Sequence, residues 1–135
     1  DYHTDWAQAV KDATKDRGVD VVLDIMGAKY LEPNVEVLAR GGRLMVIGMQ
    51  GGVKGTLNLA QLLGKQGTVT ASSLRFRSVE EKGAICHRVE QEIWPQIDSG
   101  LIRPAPETRI RFEEVRRAHE LLESGNNLGK IVLQF

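Results

Sequence analysis

Cys86 is the chain's single cysteine, so no internal disulfide framework can form, and such usage fits a reducing compartment. Charge of one sign is missing as well. Eighteen basic side chains face eighteen acidic ones, which leaves no electrostatic footprint for nucleic acid or an anionic membrane. No apolar segment approaches the ~20 residues that cross a bilayer. No serine sits in a G-x-S-x-G elbow, and Cys86 has no evident activating partner, so no nucleophile is indicated. One cysteine and scattered histidines (His3, His87, His119) do not offer the four converging ligands of structural zinc. Cys86 therefore reads as a small buried hydrophobe, and His119 as packed beside the last helix rather than catalytic. Low-complexity segments and domain linkers are lacking too. The most informative absence is the G-x-G-x-x-G turn that normally holds a dinucleotide's pyrophosphate.

What is present is a β/α rhythm. At 135 residues the chain can bury one ordinary core, about two-thirds of its unfolded surface. Asp1 to Trp6 shows no signal-peptide character and runs at once into a helix capped by Thr4 or Asp5, as the interior of a longer chain would. That helix carries Trp6, Val10 and Ala13 on one stripe and should end at Arg17-Gly18. Val19 to Leu23 reads as a buried strand with Asp24 at its exit. Leu31, Val35 and Leu38 form the next helical stripe, with Pro33 tolerable only in a first turn. Gly41-Gly42 then predicts a tight turn into a continuous apolar strand, Leu44 to Ile47, ended by Gly48. A short helix over 57–63 and a third strand over 68–71 follow. The strands begin near Val19, Arg43 and Thr68, about 24 residues apart, which suits parallel strands joined by right-handed crossovers.

After Arg77 the texture changes. Ser78 can cap a long helix with the stripe Ile85, Val89, Ile93 and Ile97, kinked by Pro95. Pro104 and Pro106 make 102–112 an edge strand or extended crossing segment. Val115, Ala118, Leu121 and Leu122 predict a final helix, and 131–135 a last strand. The arginines and glutamates of 109–120 read as a solvated face.

The three strand exits are the candidate site. Ile25-Met26-Gly27, Gly48-Met49-Gln50 and Ser72-Ser73-Leu74 would share one edge if the strands are parallel neighbours, where open α/β sheets bind ligands. Their glycines either bare the backbone to a ligand or merely turn the chain. Apolar side chains there suit the flat faces of adenine and nicotinamide. Asp24 cannot be a ribose-gripping acid without an upstream fingerprint, so it reads as a solvated or capping carboxylate.

Six segments then carry a resemblance: G-V-D-V-V-L-D-I-M-G (18–27), G-G-R-L-M-V-I-G (41–48), S-L-R-F-R-S (73–78), G-L-I-R-P (100–104), R-A-H-E-L-L-E-S-G (117–125) and G-K-I-V-L (129–133). In this order they resemble the C-terminal part of the zinc-independent quinone oxidoreductases, within the medium-chain dehydrogenase/reductase superfamily. The resemblance implies an α/β fold: the C-terminal half of a Rossmann-type parallel sheet with flanking helices (1–77), then a tail of strand, helix and strand after a long helix (78–135). The two parts are expected to form one compact unit. It implies NADPH as cofactor and a small quinone or enone as hydride acceptor, with enoyl-thioester reductases of the same superfamily as the alternative. It places Tyr2 near the adenosine 2′-phosphate, Tyr30 at the cofactor pocket, and Ile47, Gly48, Met49 and Gln50 with Ser72, Ser73 and Leu74 along the ribose and nicotinamide. Asn127 would be a late contact from the tail, and Met26 stands in the first strand's exit. A cytoplasmic homodimer through Thr68 to Leu74 is implied, with no metal and no proton donor assigned. The chain alone, lacking the pyrophosphate turn, is expected to be inactive, and a non-catalytic, self-associating module is the alternative from another class.

Overall fold

The computed structural model describes residues 4–135, which divide into two compact units at Arg77 and Ser78. In the first unit, helix α1 (Trp6–Thr14) is capped by Asp5, whose carboxylate accepts the Gln8 N–H at 3.0 Å. It stops sooner than the sequence suggests. Lys15 and Asp16 take the left-handed conformation themselves, at φ 51° and 61°. Gly18 is left-handed as well, at φ 81°, and is also a packing glycine, for a Cβ there would stand 2.6 Å from the Val37 carbonyl oxygen.

Strands β1 (Val19–Asp24), β2 (Leu38–Val46) and β3 (Thr68–Ala71) form a parallel sheet in that spatial order. Helices α2 (Leu31–Glu36) and α3 (Leu59–Lys65) make the two crossovers and both pack on β2. Their shared interface is the core: Val35, Leu38 and Leu44 are fully buried, ringed by Val22, Leu31, Val46, Leu57, Leu62 and Val69. Each such side chain contributes about 1.5–3 kcal/mol through burial. Alternation does the rest, since Val22 and Asp24 face inward while Val21 and Leu23 are exposed. Lys11 pairs with Glu36 and the Trp6 and Tyr30 rings meet at 5.4 Å, tying α1 to the segment around α2.

Two expectations fail here for one reason. Leu38 belongs to β2 rather than to the preceding helix, and Gly41-Gly42 lies inside the strand rather than in a turn before it. The register jumps from Val19↔Leu38 to Val21↔Arg43, so β2 bulges outward, with Gly41 at φ 75°. Helix α3 also starts two residues after Leu57, where Asn58 accepts the Gln61 N–H.

In the second unit, Ser78 and Glu81 close a reciprocal capping box over α4 (Val79–Glu92). The long helix is two helices. Pro95, lacking an N–H, sits in the first turn of a separate α5 (Trp94–Asp98), where that loss is harmless. Ile85 and Ile93 are half-buried along the expected stripe, whereas Val89 and Ile97 are exposed. Cys86 is exposed too, against the expectation of burial, because it points off the stripe. Strands β4 (Glu107–Arg111) and β5 (Lys130–Gln134) pair in parallel around the crossover helix α6 (Val115–Glu123), burying Ile110 and Ala118. β4 starts just after Pro106, so the two prolines precede the strand. Arg116 and Arg117 pair with Glu120 and Glu114 on an exposed face, as expected. His119 is exposed rather than packed, at the side of a shallow groove lined by Val115, Leu122 and Ile131.

Candidate functional site at the strand exits

The register puts Asp24, Val46 and Ala71 in one row, so the three strands leave the sheet side by side. What happens next depends on the backbone. The first two exits bond to each other: Ile47 N–H donates to the Asp24 carbonyl at 2.8 Å, Gln50 to Ile25 at 3.1 Å, Gly51 to Met26 at 2.7 Å, and Ala28 to Gly52 at 3.0 Å. Asp24 holds the first exit from below. Its buried carboxylate accepts the N–H groups of Met26 and Gly27, both at 2.8 Å. It is a capping carboxylate, not a solvated one.

This zipper explains the glycines. A Cβ on Gly48 would stand 2.7 Å from the Ile25 carbonyl oxygen, and one on Gly27 would stand 2.8 Å from that of Gly52. Gly27 also has a φ of 72°. Both positions are glycine because two exit loops pack backbone to backbone, so the protein itself fills the space a Cβ would need. These bonds close the space directly between the two backbones at Ile25 to Gly27 and Gly48 to Gly52.

Space opens instead on either side. Between the second and third exits lies a cavity of about 340 Å³ lined by Val46, Ile47, Gly48, Met49, Ala71, Ser72, Ser73 and Phe76. A second cavity, about 370 Å³, lies against the loop after β2, where Gly27, Ala28, Met49, Val53 and Lys54 contribute. Val46 and Met49 line both. Both volumes are in the range of small-molecule sites.

Of the residues read from the sequence, the first cavity gathers Ile47, Gly48, Met49, Ser72 and Ser73. Met26, Gln50 and Leu74 stand in the exit loops without lining it. Tyr30 packs on Trp6, with the Lys29 ammonium 5.8 Å from its ring centroid. Asn127 belongs to the second unit, where its amide accepts from Thr108 and donates to the Gly129 carbonyl. Tyr2 lies outside the described residues. Phe76 is a lining residue the sequence reading passed over. Its signal was available, an aromatic in S-L-R-F-R-S just beyond the third exit.

Among the described residues no three His, Cys, Asp or Glu side chains converge as a metal cradle would require. The titratable groups that shift are elsewhere and structural. The Arg17 guanidinium holds the Asp20 carboxyl below the usual carboxylate range, and backbone and Ser78 hydrogen bonds do the same for Glu80.

A parallel sheet with exits in register and an apolar cavity beside them defines part of a nucleotide-binding α/β domain. The chain belongs to the zinc-binding dehydrogenase family, whose model matches residues 1–133. A quinone oxidoreductase of Rattus norvegicus is 27% identical over 125 residues, covering 92% of this chain and 36% of the relative. A highly reducing polyketide synthase of Aspergillus terreus is 32% identical over 130 residues, covering 95% of this chain and 5% of the synthase. Among solved structures, an Escherichia coli quinone oxidoreductase complexed with NADPH superposes with a TM-score of 0.69 at 27% identity, covering 98% of this chain and 41% of that one. The chain thus spans about a third of the length of the curated quinone oxidoreductase it matches.

Proposed function

We propose that the chain is the cofactor-binding part of an NADPH-linked oxidoreductase that reduces a quinone or enone. The observation that carries this is the apolar cavity between the β2 and β3 exits, lined by five of the residues expected there. The match to quinone oxidoreductases, one of them solved with NADPH, supports the same reading. Ile47 would hold the nicotinamide's flat face by apolar contact, and the Ser72 and Ser73 hydroxyls would bond its carboxamide or ribose. The cofactor supplies a hydride, two electrons with one proton, and the acceptor takes a second proton to become a hydroquinone or ketone. This chain's contribution is position: the apolar walls exclude water and fix the ring's face. The G-x-G-x-x-G turn that would hold the phosphates is not in this sequence, and the loop after β2 spends its N–H groups on the first exit.

The test is turnover of NADPH by the intact protein with quinones against enoyl thioesters. Quinone turnover is the expected result. Enoyl-thioester turnover alone would move the assignment to the reductases of the polyketide synthase relatives.

A second reading is favoured by the sheet's edges. β3 pairs only with β2 among the described strands, and β1 is likewise bonded on one side, so either edge can recruit another chain. The chain by itself is then a self-associating module, with Thr68 to Leu74 as the proposed dimer edge and weak NADPH affinity. Sedimentation as a monomer at micromolar concentration would remove that reading, and low-micromolar NADPH affinity by calorimetry would contradict the weak-binding part.

A further inference from the structure

Phe76 is 88% exposed, yet it lines the cavity between the β2 and β3 exits together with Ile47, Met49 and Ser72. A phenyl ring left in water forgoes one of the largest burial gains available to a side chain. Its backbone is tied down. The turn carrying it is closed by the Arg77 N–H donating to the Leu74 carbonyl at 3.3 Å, and the Arg77 guanidinium reaches the Ser72 hydroxyl at 3.5 Å. Met49, from the neighbouring exit, is also exposed and lines the same space. A thioether is flexible and makes favourable contacts with aromatic rings. The cavity therefore presents a phenyl ring and a thioether from two different strand exits, with Ser72 and Ser73 hydroxyls beside them.

Resting on the proposed function, the geometry points to Phe76 and Met49 as the walls of a slot for the planar conjugated ring of the acceptor. Hydride transfer needs the acceptor carbon within about 3–3.5 Å of the nicotinamide, which stacks the two rings face to face. A stacked pair needs an outer wall that tolerates a π-face, and Phe76 supplies it. Phe76 is then a specificity-determining residue: it favours rigid quinone-like rings over flexible enoyl chains, which present no extended π-surface.

The three methionines, Met26, Met45 and Met49, allow a direct test on the full chain labelled with 13C at the methionine methyls. The background is Cys86→Ser, because an exposed thiol adds to quinones. Titrated with 2-methyl-1,4-naphthoquinone, the Met49 methyl should move upfield by ring current and saturate, while Met45, which lies within β2 and lines neither cavity, stays still. Phe76→Leu should weaken binding about fivefold, and Phe76→Tyr should keep it within about twofold. An N-acetylcysteamine enoyl thioester should leave Met49 nearly unmoved. The inference is overturned if the naphthoquinone does not shift Met49, if Phe76→Leu binds as tightly as the parent, or if the thioester shifts Met49 equally. It is also overturned if the Met49 shift depends on protein concentration without any probe, which would assign the slot to a second copy. An unchanged Met45 signal certifies that a variant is folded, and Phe76→Met serves if Phe76→Leu is not. Reduced nicotinamide mononucleotide, titrated separately, tests the cofactor reading, so failure of one leaves the other readable.

Discussion

The unit ending at Arg77 and the unit beginning at Ser78 are built from the same βαβ grammar but reach different degrees of burial. In the first, two crossover helices cover the same face of a three-stranded sheet, and Val35, Leu38 and Leu44 are fully buried beneath them. In the second, one crossover helix covers two strands, and Ile110 and Ala118 are the buried apolar side chains among its residues. Trp94, Leu101, Leu122 and Leu128 remain exposed. A single βαβ unit has too little interface to bury its own apolar stripe, whereas adding one strand and one helix closes a core. Hydrophobic periodicity therefore reports what a chain is able to bury, not what it has buried.

The comparison can be broken at its strongest point by Leu38→Ala. A fully enclosed leucine should cost about 4 kcal/mol, and residue-resolved hydrogen exchange should show protection falling across β1 to β3. Equal loss in the β4–β5 pair would show that the two units melt as one. Gly129→Ala comes next, at about 3 kcal/mol. The glycine sits at φ 90°, and its Cβ would stand 2.0 Å from the Pro106 carbonyl oxygen, so the backbone must move. Exchange should accelerate in β4 and β5, with β1 to β3 unchanged. Leu122→Ala should have the smallest effect, under about 0.5 kcal/mol by denaturant titration, because that side chain is largely in water. A cost above about 2 kcal/mol would mean that the α6 face is covered in solution, and the contrast between the units would shrink.

Much of the fold could be read from residues whose role is local. Asp5 and Ser78 act within a turn of chain, so the starts of α1 and α4 followed from the sequence. Leu38 shows where that approach ends. It continues a helical stripe at i+3 from Val35, but the tertiary pairing Val19↔Leu38 draws it into β2. Gly18, Gly27 and Gly48 are a second case. Each reads as a turn or a ligand contact, and each is needed because a distant backbone lies against it. The alignment of the parallel exits was legible, and the cavity beside them gathers Ile47 to Met49 with Ser72 and Ser73. The zipper between the first two exits was not, since backbone hydrogen bonds between loops leave no mark on side-chain pattern.

Met49 lines both cavities at the strand exits. A substitution at that position therefore alters a wall of both at once. A bulkier residue at position 49 narrows both, and a smaller one widens both. Oxidation of that exposed thioether to its sulfoxide would place a polar, stereogenic group in two apolar walls at once.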